Sequence, residues 1–275
     1  MKFELLNGDS LKVLPTLDEK FFDLVVTSPP YNLGIHYASF KDTAPRDEFL
    51  AWCKAWAKEV KRVMRDDASF FLNIGAAPSN PLLPYQLILA LTDQPDPLFV
   101  LQNTFHWVKS ITVTPTSGEP VSAGHFKPIN SKRYVNDCHE YLFHLTKTGE
   151  VQLDRRAAGV PYVNKSNIAR WGHTGGEDLR CRGNTWFIPY ETIQSRKGER
   201  PHPATFPVAL VEQCIKIHGK AEATHMLDPF LGIGSSVLAA KSQNISHFTG
   251  IELDEKYLEV AKSRIESPLK ANSLG

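Results

Sequence analysis

The residues with most to offer chemically stand in one short run, Thr27-Ser28-Pro29-Pro30-Tyr31-Asn32. It follows the apolar stretch Asp23–Val26, which reads as a strand end opening into a loop. Two consecutive prolines fix φ twice and remove two N–H donors. The carbonyls of Ser28 and Pro29 then lack the local donors that an ordinary turn supplies. A rigid corner offering a hydroxyl, a bare carbonyl and an aromatic ring can grip a planar amine by its hydrogens and stack on the ring that bears it. The competing reading is a plain Pro-Pro loop with a packing tyrosine.

A second run is Asp228-Pro229-Phe230-Leu231-Gly232-Ile233-Gly234-Ser235-Ser236, between the apolar stretch His225–Leu227 and a helix. Glycines at a strand-to-helix turn let backbone approach a ligand closely. Glu252 follows Asp228 by 24 positions and ends the next strand, where an acid can take both hydroxyls of a ribose. The third glycine of the dinucleotide fingerprint is absent, since Val237 follows Ser236. A nucleoside with no pyrophosphate to cradle, such as S-adenosyl-L-methionine, does not need it. An NAD-dependent oxidoreductase is the alternative that this loop and Glu252 leave open.

Taken together, Ser-Pro-Pro-Tyr and Asp-Pro-Phe-x-Gly-x-Gly-Ser resemble the amino-group DNA methyltransferases, over nearly the whole chain. With Ser28 placed ahead of Gly232, the order resembles the circularly permuted β class. Asn7-Gly8-Asp9-Ser10 is similar to the family's acidic turn near the cofactor adenine. His202-Pro203-Ala204-Thr205-Phe206-Pro207 is similar to its cofactor-side helix entry, and the stretch from Asn136 to Lys147 loosely resembles a strand with an Asn-x-x-Glu lead-in. The resemblance implies a Rossmann-like α/β fold with a mainly parallel seven-stranded sheet, one antiparallel strand and a small target-recognition insert. It implies S-adenosyl-L-methionine as cofactor, no metal, and a catalytic corner of Ser28, Pro29, Pro30 and Tyr31. Cofactor contacts would come from Asp9, His202, Thr205, Asp228, Pro229, Phe230, Gly232, Gly234, Ser235, Ser236 and Glu252.

In the family these motifs resemble, serine at the first motif position goes more often with the N4 amine of cytosine, and the N6 amine of adenine is the alternative. Methyltransferases of protein glutamine or RNA use a similar corner, usually with asparagine first and the glycine loop upstream. A non-enzymatic DNA-binding protein is a further alternative. The resemblance implies double-stranded DNA as the partner, with the target base flipped out. A homodimer and a cognate restriction endonuclease are partners that the family suggests and no residue here decides.

Charge agrees with a polyanionic partner for one segment. Residues 151–200 hold nine Lys/Arg against five Asp/Glu, and the rest holds 22 against 25. Arg155, Arg156, Lys165, Arg170, Arg180 and Arg182, with Arg196 and Arg200, are candidates for phosphates and base edges. A solvated loop is the plainer reading. The loop from Gly34 to Ala44, with His36, Tyr37 and Lys41, either closes over DNA or is ordinary surface.

These residues need elements to position them. Strands are expected at Phe3–Leu6, Asp23–Thr27, Ser69–Ile74, Asn103–Val108, Glu140–Leu145, His225–Leu227 and His247–Ile251, mostly as continuous apolar runs buried on both faces. Helices are expected from Asp47 to Met64, Leu82 to Leu91, Pro207 to His218, after Gly234, and from Glu255 to Ile265 with Asp254 as N-cap. The family implies the strand order 3–6, 247–251, 225–227, 23–27, 69–74, then the antiparallel pair. The chain divides as 1–150, the catalytic half; 151–200, the target-recognition insert; and 201–275, the cofactor-binding half.

Composition bounds the rest. The chain has 275 residues, 42% apolar and 22% charged, with net charge +1. No apolar stretch approaches the roughly 20 residues that span a bilayer, and no secretory signal is visible, so a cytoplasmic setting is expected. Cys53, Cys138, Cys181 and Cys214 are scattered, with no Cys-x-x-Cys pair.

Overall fold

The computed structural model describes residues 1–35, 40, 42–78, 80–93, 95–114, 116, 118–124, 130–189, 205–219 and 223–267. Its strands are β1 (Lys2–Asn7), β2 (Phe22–Thr27), β3 (Met64–Ile74), β4 (Val100–Val108), β5 (Ile111–Val113), β6 (Val121–Ala123), β7 (His139–Thr146), β8 (Thr185–Phe187), β9 (His225–Asp228) and β10 (His247–Glu252). The helices are α1 (Ser10–Val13), α2 (Arg46–Val63), α3 (Leu83–Thr92), α4 (Ser166–Arg170), α5 (Val208–His218), α6 (Ser235–Ser242) and α7 (Glu255–Glu266).

Eight strands form the main sheet, in the order β1-β10-β9-β2-β3-β7-β4-β8. The first five run parallel, while β7 is antiparallel to both β3 and β4. This is the order expected from the sequence, with one strand more than the seven anticipated. The extra strand, β8, lies in the segment read as an insert and pairs parallel with the edge of β4. Trp186 explains it. Its side chain is buried and rests on Phe105 at 4.4 Å, so three residues between polar neighbours are worth recruiting. Strands β5 and β6 form a separate two-stranded ribbon.

Helices cover both faces, which is why the parallel strands read as unbroken apolar runs. On one face α2 buries Phe49, Cys53, Trp56, Ala57, Val60 and Val63, a stripe spaced three and four residues apart. Asp47 and Glu48 in its first turn and Lys61 and Arg62 in its last oppose the helix dipole. Phe70 and Leu87 lie in the same core. On the other face Leu210, Val211, Cys214 and Ile215 of α5 join Val237 and Ala240 of α6 and Leu258 of α7. Asp254 caps α7 by accepting from the Lys256 and Tyr257 amides, as the sequence predicts. Among the described residues no helix is long and apolar enough to cross a membrane.

Candidate active site

Parallel strands bring their carboxyl ends to one edge. That edge collects the turn after β1, the end of β10, the loop after β9, the corner after β2 and the end of β3. Because β7 runs the other way, its first residues arrive at the same edge, as does the end of β4. A cavity opens there, lined among others by Asp9, Ser28, Pro29, Pro30, Tyr31, Trp107, Glu140, Phe230, Gly232, Glu252 and Tyr257. Its volume is about 230 Å³, far beyond the ~15 Å³ that houses a water. The two runs singled out in the sequence therefore converge on one pocket.

A buried hydrogen bond ties them together. Thr27, just before the Ser28 corner, donates to Asp228 Oδ1 at 2.6 Å. Ser236 donates to Asp228 Oδ2 at 2.5 Å, and the Phe230 amide to Oδ1 at 3.0 Å. Asp228 is fully buried, and burial pushes its carboxyl up to about 6 despite those three donors. Beyond it the loop turns on Gly232 (φ 57°) and Gly234 (φ 86°), left-handed conformations that suit glycine. Glu252 holds the loop from the neighbouring strand, accepting from the Gly232 amide at 2.7 Å and the Asp254 amide at 2.9 Å. Its carboxyl is also raised by burial.

The corner itself is a polar network. Ser28 Oγ lies 2.7 Å from the Tyr31 hydroxyl, which donates to Glu140 Oε2 at 2.9 Å. Asn73 Nδ2 donates to both the Tyr31 oxygen (2.6 Å) and Glu140 Oε2 (2.7 Å). Lys109 pairs with Glu140 Oε1 at 3.0 Å. Gly75 lets these groups approach, because a Cβ there would meet Tyr31 Cε2 at 3.0 Å and Glu140 at 3.2 Å. Downstream, Asp42 accepts from the amides of Asn32, Leu33 and Ile35, and Asn32 takes a left-handed φ of 56°. Burial raises the Asp42 carboxyl, against the pull of those amides.

A family model described as DNA methylase, of the N6_N4_Mtase type, matches residues 22–263. The chain belongs to this DNA methylase family. It is 31% identical to the type II methyltransferase M.ScaI of Streptomyces caespitosus, over 96% of this chain and 81% of that protein. It is 25% identical to M.BglII of Bacillus subtilis, over 94% of this chain and 67% of that protein. Among solved structures, the PvuII DNA methyltransferase, named as cytosine-N4-specific, superposes with a TM-score of 0.70 at 19% identity, covering 98% of this chain and 89% of that one. M1.HpyAVI, solved in complex with SAM, gives 0.56 at 19% identity, covering 95% and 99%. At such identities these two likenesses concern the fold.

In this DNA methylase the residues expected at the cofactor divide into two groups. Asp9, Thr205, Pro229, Phe230, Gly232, Ser235 and Glu252 line the cavity. Asp228, Gly234 and Ser236 stand behind the loop and do not line it; they hold its shape. His202 lies outside the described residues, as do His36, Tyr37, Lys41, Arg196 and Arg200. Of the candidate DNA contacts, Arg155, Lys165 and Arg170 are exposed. Arg156 pairs with Glu177 at 2.7 Å, Lys165 pairs with Asp178, and Arg182 donates to the Ala158 carbonyl.

The structure adds lining residues that the sequence did not assign to the site, Trp52, Trp107, Asp254 and Tyr257 among them, and it places there Glu140 from the stretch that loosely resembles the Asn-x-x-Glu lead-in. The described lining carries four carboxylates, Asp9, Glu140, Glu252 and Asp254, and no lysine, arginine or histidine. A pyrophosphate would be repelled by that set, whereas a nucleoside carrying a sulfonium cation suits it. The aromatic walls supply faces for stacking, with Trp52 packed 5.5 Å from Phe230.

Proposed function

We propose that this DNA methylase transfers a methyl group from S-adenosyl-L-methionine to the exocyclic N4 amine of a cytosine flipped out of double-stranded DNA. The observation that carries the reading is the shared cavity, with an amine-gripping corner on one wall and an acidic, glycine-turned loop on the other. When bound, the cofactor supplies an activated methyl on a sulfonium. Glu252 and Asp9 would hold its sugar and base side, with Phe230 and Tyr257 flanking it.

The residues of the corner do the remaining work. An exocyclic amine has its lone pair drawn into the ring and is a poor nucleophile. Hydrogen bonds from that amine to Ser28 Oγ and the Pro29 carbonyl would draw the nitrogen toward sp³. They strengthen as positive charge develops there, which stabilises the transition state more than the ground state. Tyr31 is placed to stack on the base, and fixed alignment lowers the barrier further. Direct transfer to an exocyclic amine forms no covalent enzyme intermediate and calls for no thiol nucleophile. Flipping costs a few kcal/mol, offset by phosphate contacts, for which exposed Arg155, Lys165 and Arg170 are the leading candidates. Serine first in the motif favours cytosine over adenine.

Methylation-aware sequencing of DNA from an expressing cell, with mass spectrometry of its nucleosides, tests this. N4-methylcytosine is expected; N6-methyladenine alone would overturn the choice of base, and unmodified DNA the whole reading. Ser28→Ala is expected to lower kcat by roughly 10²–10³ while cofactor affinity measured by calorimetry holds. Loss of cofactor binding would show that Ser28 has another role.

A further inference from the structure

Glu140 is a carboxylate at the mouth of β7, only 14% exposed, with no part in the chemistry described so far. Its hydrogen bonds determine those of its neighbours. We propose that Glu140 sets the hydrogen-bond polarity of the catalytic corner, so that Ser28 can only accept, and that the site thereby selects a base bearing an exocyclic amine over one bearing a keto oxygen there. The proposal rests on the reading of this corner as the base-binding wall.

Proton counting carries the argument. An ion-paired carboxylate accepts and does not donate. Tyr31 and Asn73 Nδ2 must therefore both donate to Glu140 Oε2. That commits the one hydroxyl hydrogen of Tyr31 and fixes which end of the Asn73 amide faces the network. The second Asn73 N–H donates to the Tyr31 oxygen. The 2.7 Å contact between Ser28 and Tyr31 then runs in one direction, with Ser28 donating. Having spent its hydrogen inward, the Ser28 oxygen offers lone pairs to the pocket, beside the Pro29 carbonyl. An amine brings hydrogens to both. A keto oxygen brings none, so acceptor meets acceptor. The arrangement is bought with an orphan, since Asn73 Oδ1 is buried without a partner among the described residues. Two donors from one amide matter more here than satisfying its oxygen.

Glu140→Gln alone does not invert the polarity. Lys109 keeps the Gln oxygen, the Gln nitrogen turns inward, and the Asn73 amide rotates so that its oxygen accepts from that nitrogen and from Tyr31. Glu140→Gln with Asn73→Leu removes both acceptors, so the Tyr31 hydrogen is released toward Ser28 and Ser28 can donate outward. Asn73→Leu alone leaves Glu140 to hold the Tyr31 hydrogen and Ser28 in its accepting role. Glu140 is a positioning residue in this account, acting through Tyr31 and Ser28.

The experiment compares, in the presence of S-adenosyl-L-homocysteine, binding of a duplex carrying the target base and one carrying its keto counterpart, each opposite an abasic site so that neither loses a base pair on flipping. That counterpart is uracil for cytosine, or hypoxanthine should the methylated product be N6-methyladenine. The outcome is thus independent of which base the enzyme modifies. The native protein is expected to prefer the amino duplex by on the order of 10–100-fold. In the Glu140→Gln, Asn73→Leu pair the preference collapses toward parity and kcat falls, with KM for the cofactor unchanged. Asn73→Leu alone, with Glu140 in place, keeps most of the preference. Tyr31→Phe, which also frees the Ser28 hydrogen, is expected to lose it and serves as the readout if the paired variant does not fold. A native protein indifferent to the keto duplex would overturn the proposal. So would a folded paired variant that keeps the preference, or an Asn73→Leu variant that loses as much as the pair.

Discussion

Thr27 is the residue through which the two walls of the cavity feel one another. Its hydroxyl donates to a fully buried Asp228, and the next residue in the chain is Ser28. Thr27→Val keeps the shape and removes the donor, leaving a buried carboxylate with one hydrogen bond fewer. The expected cost is about 1–3 kcal/mol of stability, read by urea denaturation, while Thr27→Ser stays near the native value. Equal losses in both would point to the missing methyl instead. Ser28, Tyr31, Gly232 and Glu252 were legible in the sequence because each stands in a motif whose neighbours explain it. Asn73 and Trp107 were not, and Glu140 showed only as the end of a loosely matching Asn-x-x-Glu stretch, because each is a single residue on a different strand. What unites them is the pairing of β7 between β3 and β4, where Ile74 faces Tyr141 and Trp107 faces Glu140. Registers of this kind arise from long-range packing and leave no local mark. Asp228 and Ser236 were legible as important, yet only burial distinguishes a residue that shapes a loop from one that touches a ligand.

At the scale of elements, the entry into α6 is a tightly constrained joint. Gly234 caps the helix with φ 86°, and a Cβ there would stand 2.9 Å from Ala261 Cβ on α7. Gly234→Ala thus combines a strained backbone with a clash between two packed helices. A loss of about 2–3 kcal/mol is expected, with weaker cofactor binding because Gly232 sits two residues away on the same loop. Native stability with native affinity would mean that the loop is softer than its geometry. The elements themselves were readable where apolar runs were long. Strand β3 begins earlier than expected because Arg65, Asp66 and Asp67 are an exposed polar extension of a buried run. The eighth strand escaped notice because three residues in a segment rich in glycine and arginine carry no period. That same strand shows that residues 151–189 are tied into the main sheet at Trp186.

Across the whole molecule, the site occupies one edge of the sheet, and a buried histidine, His144, lies further along one of its strands near His218 at the end of α5. His144 is fully buried on β7, with Nε2 3.0 Å from Ser69 Oγ and Nδ1 3.1 Å from the Asn103 amide; Ser69 also meets His218 at 3.0 Å. Burial, aided by the nearby His218, lowers His144 to about 3. The unfolded chain would bind a proton on this residue below about 6.5, and the native protein would not until near pH 3. Its contribution to stability is therefore complete above pH 6.5 and is lost as the pH falls toward 3. Asp228 works in the opposite sense. Its carboxyl is raised from 3.8 to about 6, so the native state holds a proton that the unfolded state has released. That contribution is present below pH 3.8 and is lost as the pH rises through 6. Between pH 4 and 6 the two slopes oppose, and each masks the other in the native protein. Removing one exposes its partner. His144→Gln is expected to gain stability relative to the native protein as the pH falls from 6 to 4, by up to about 1.4 kcal/mol per pH unit. Asp228→Asn is expected to lose it over the same range. Urea denaturation at pH 7, 6, 5 and 4 reads both. A difference between native protein and His144→Gln that stays constant with pH would show that this histidine does not carry the acid sensitivity. A parallel result for Asp228→Asn would show that the bond joining the two walls of the active site is not held by an unusually basic carboxylate.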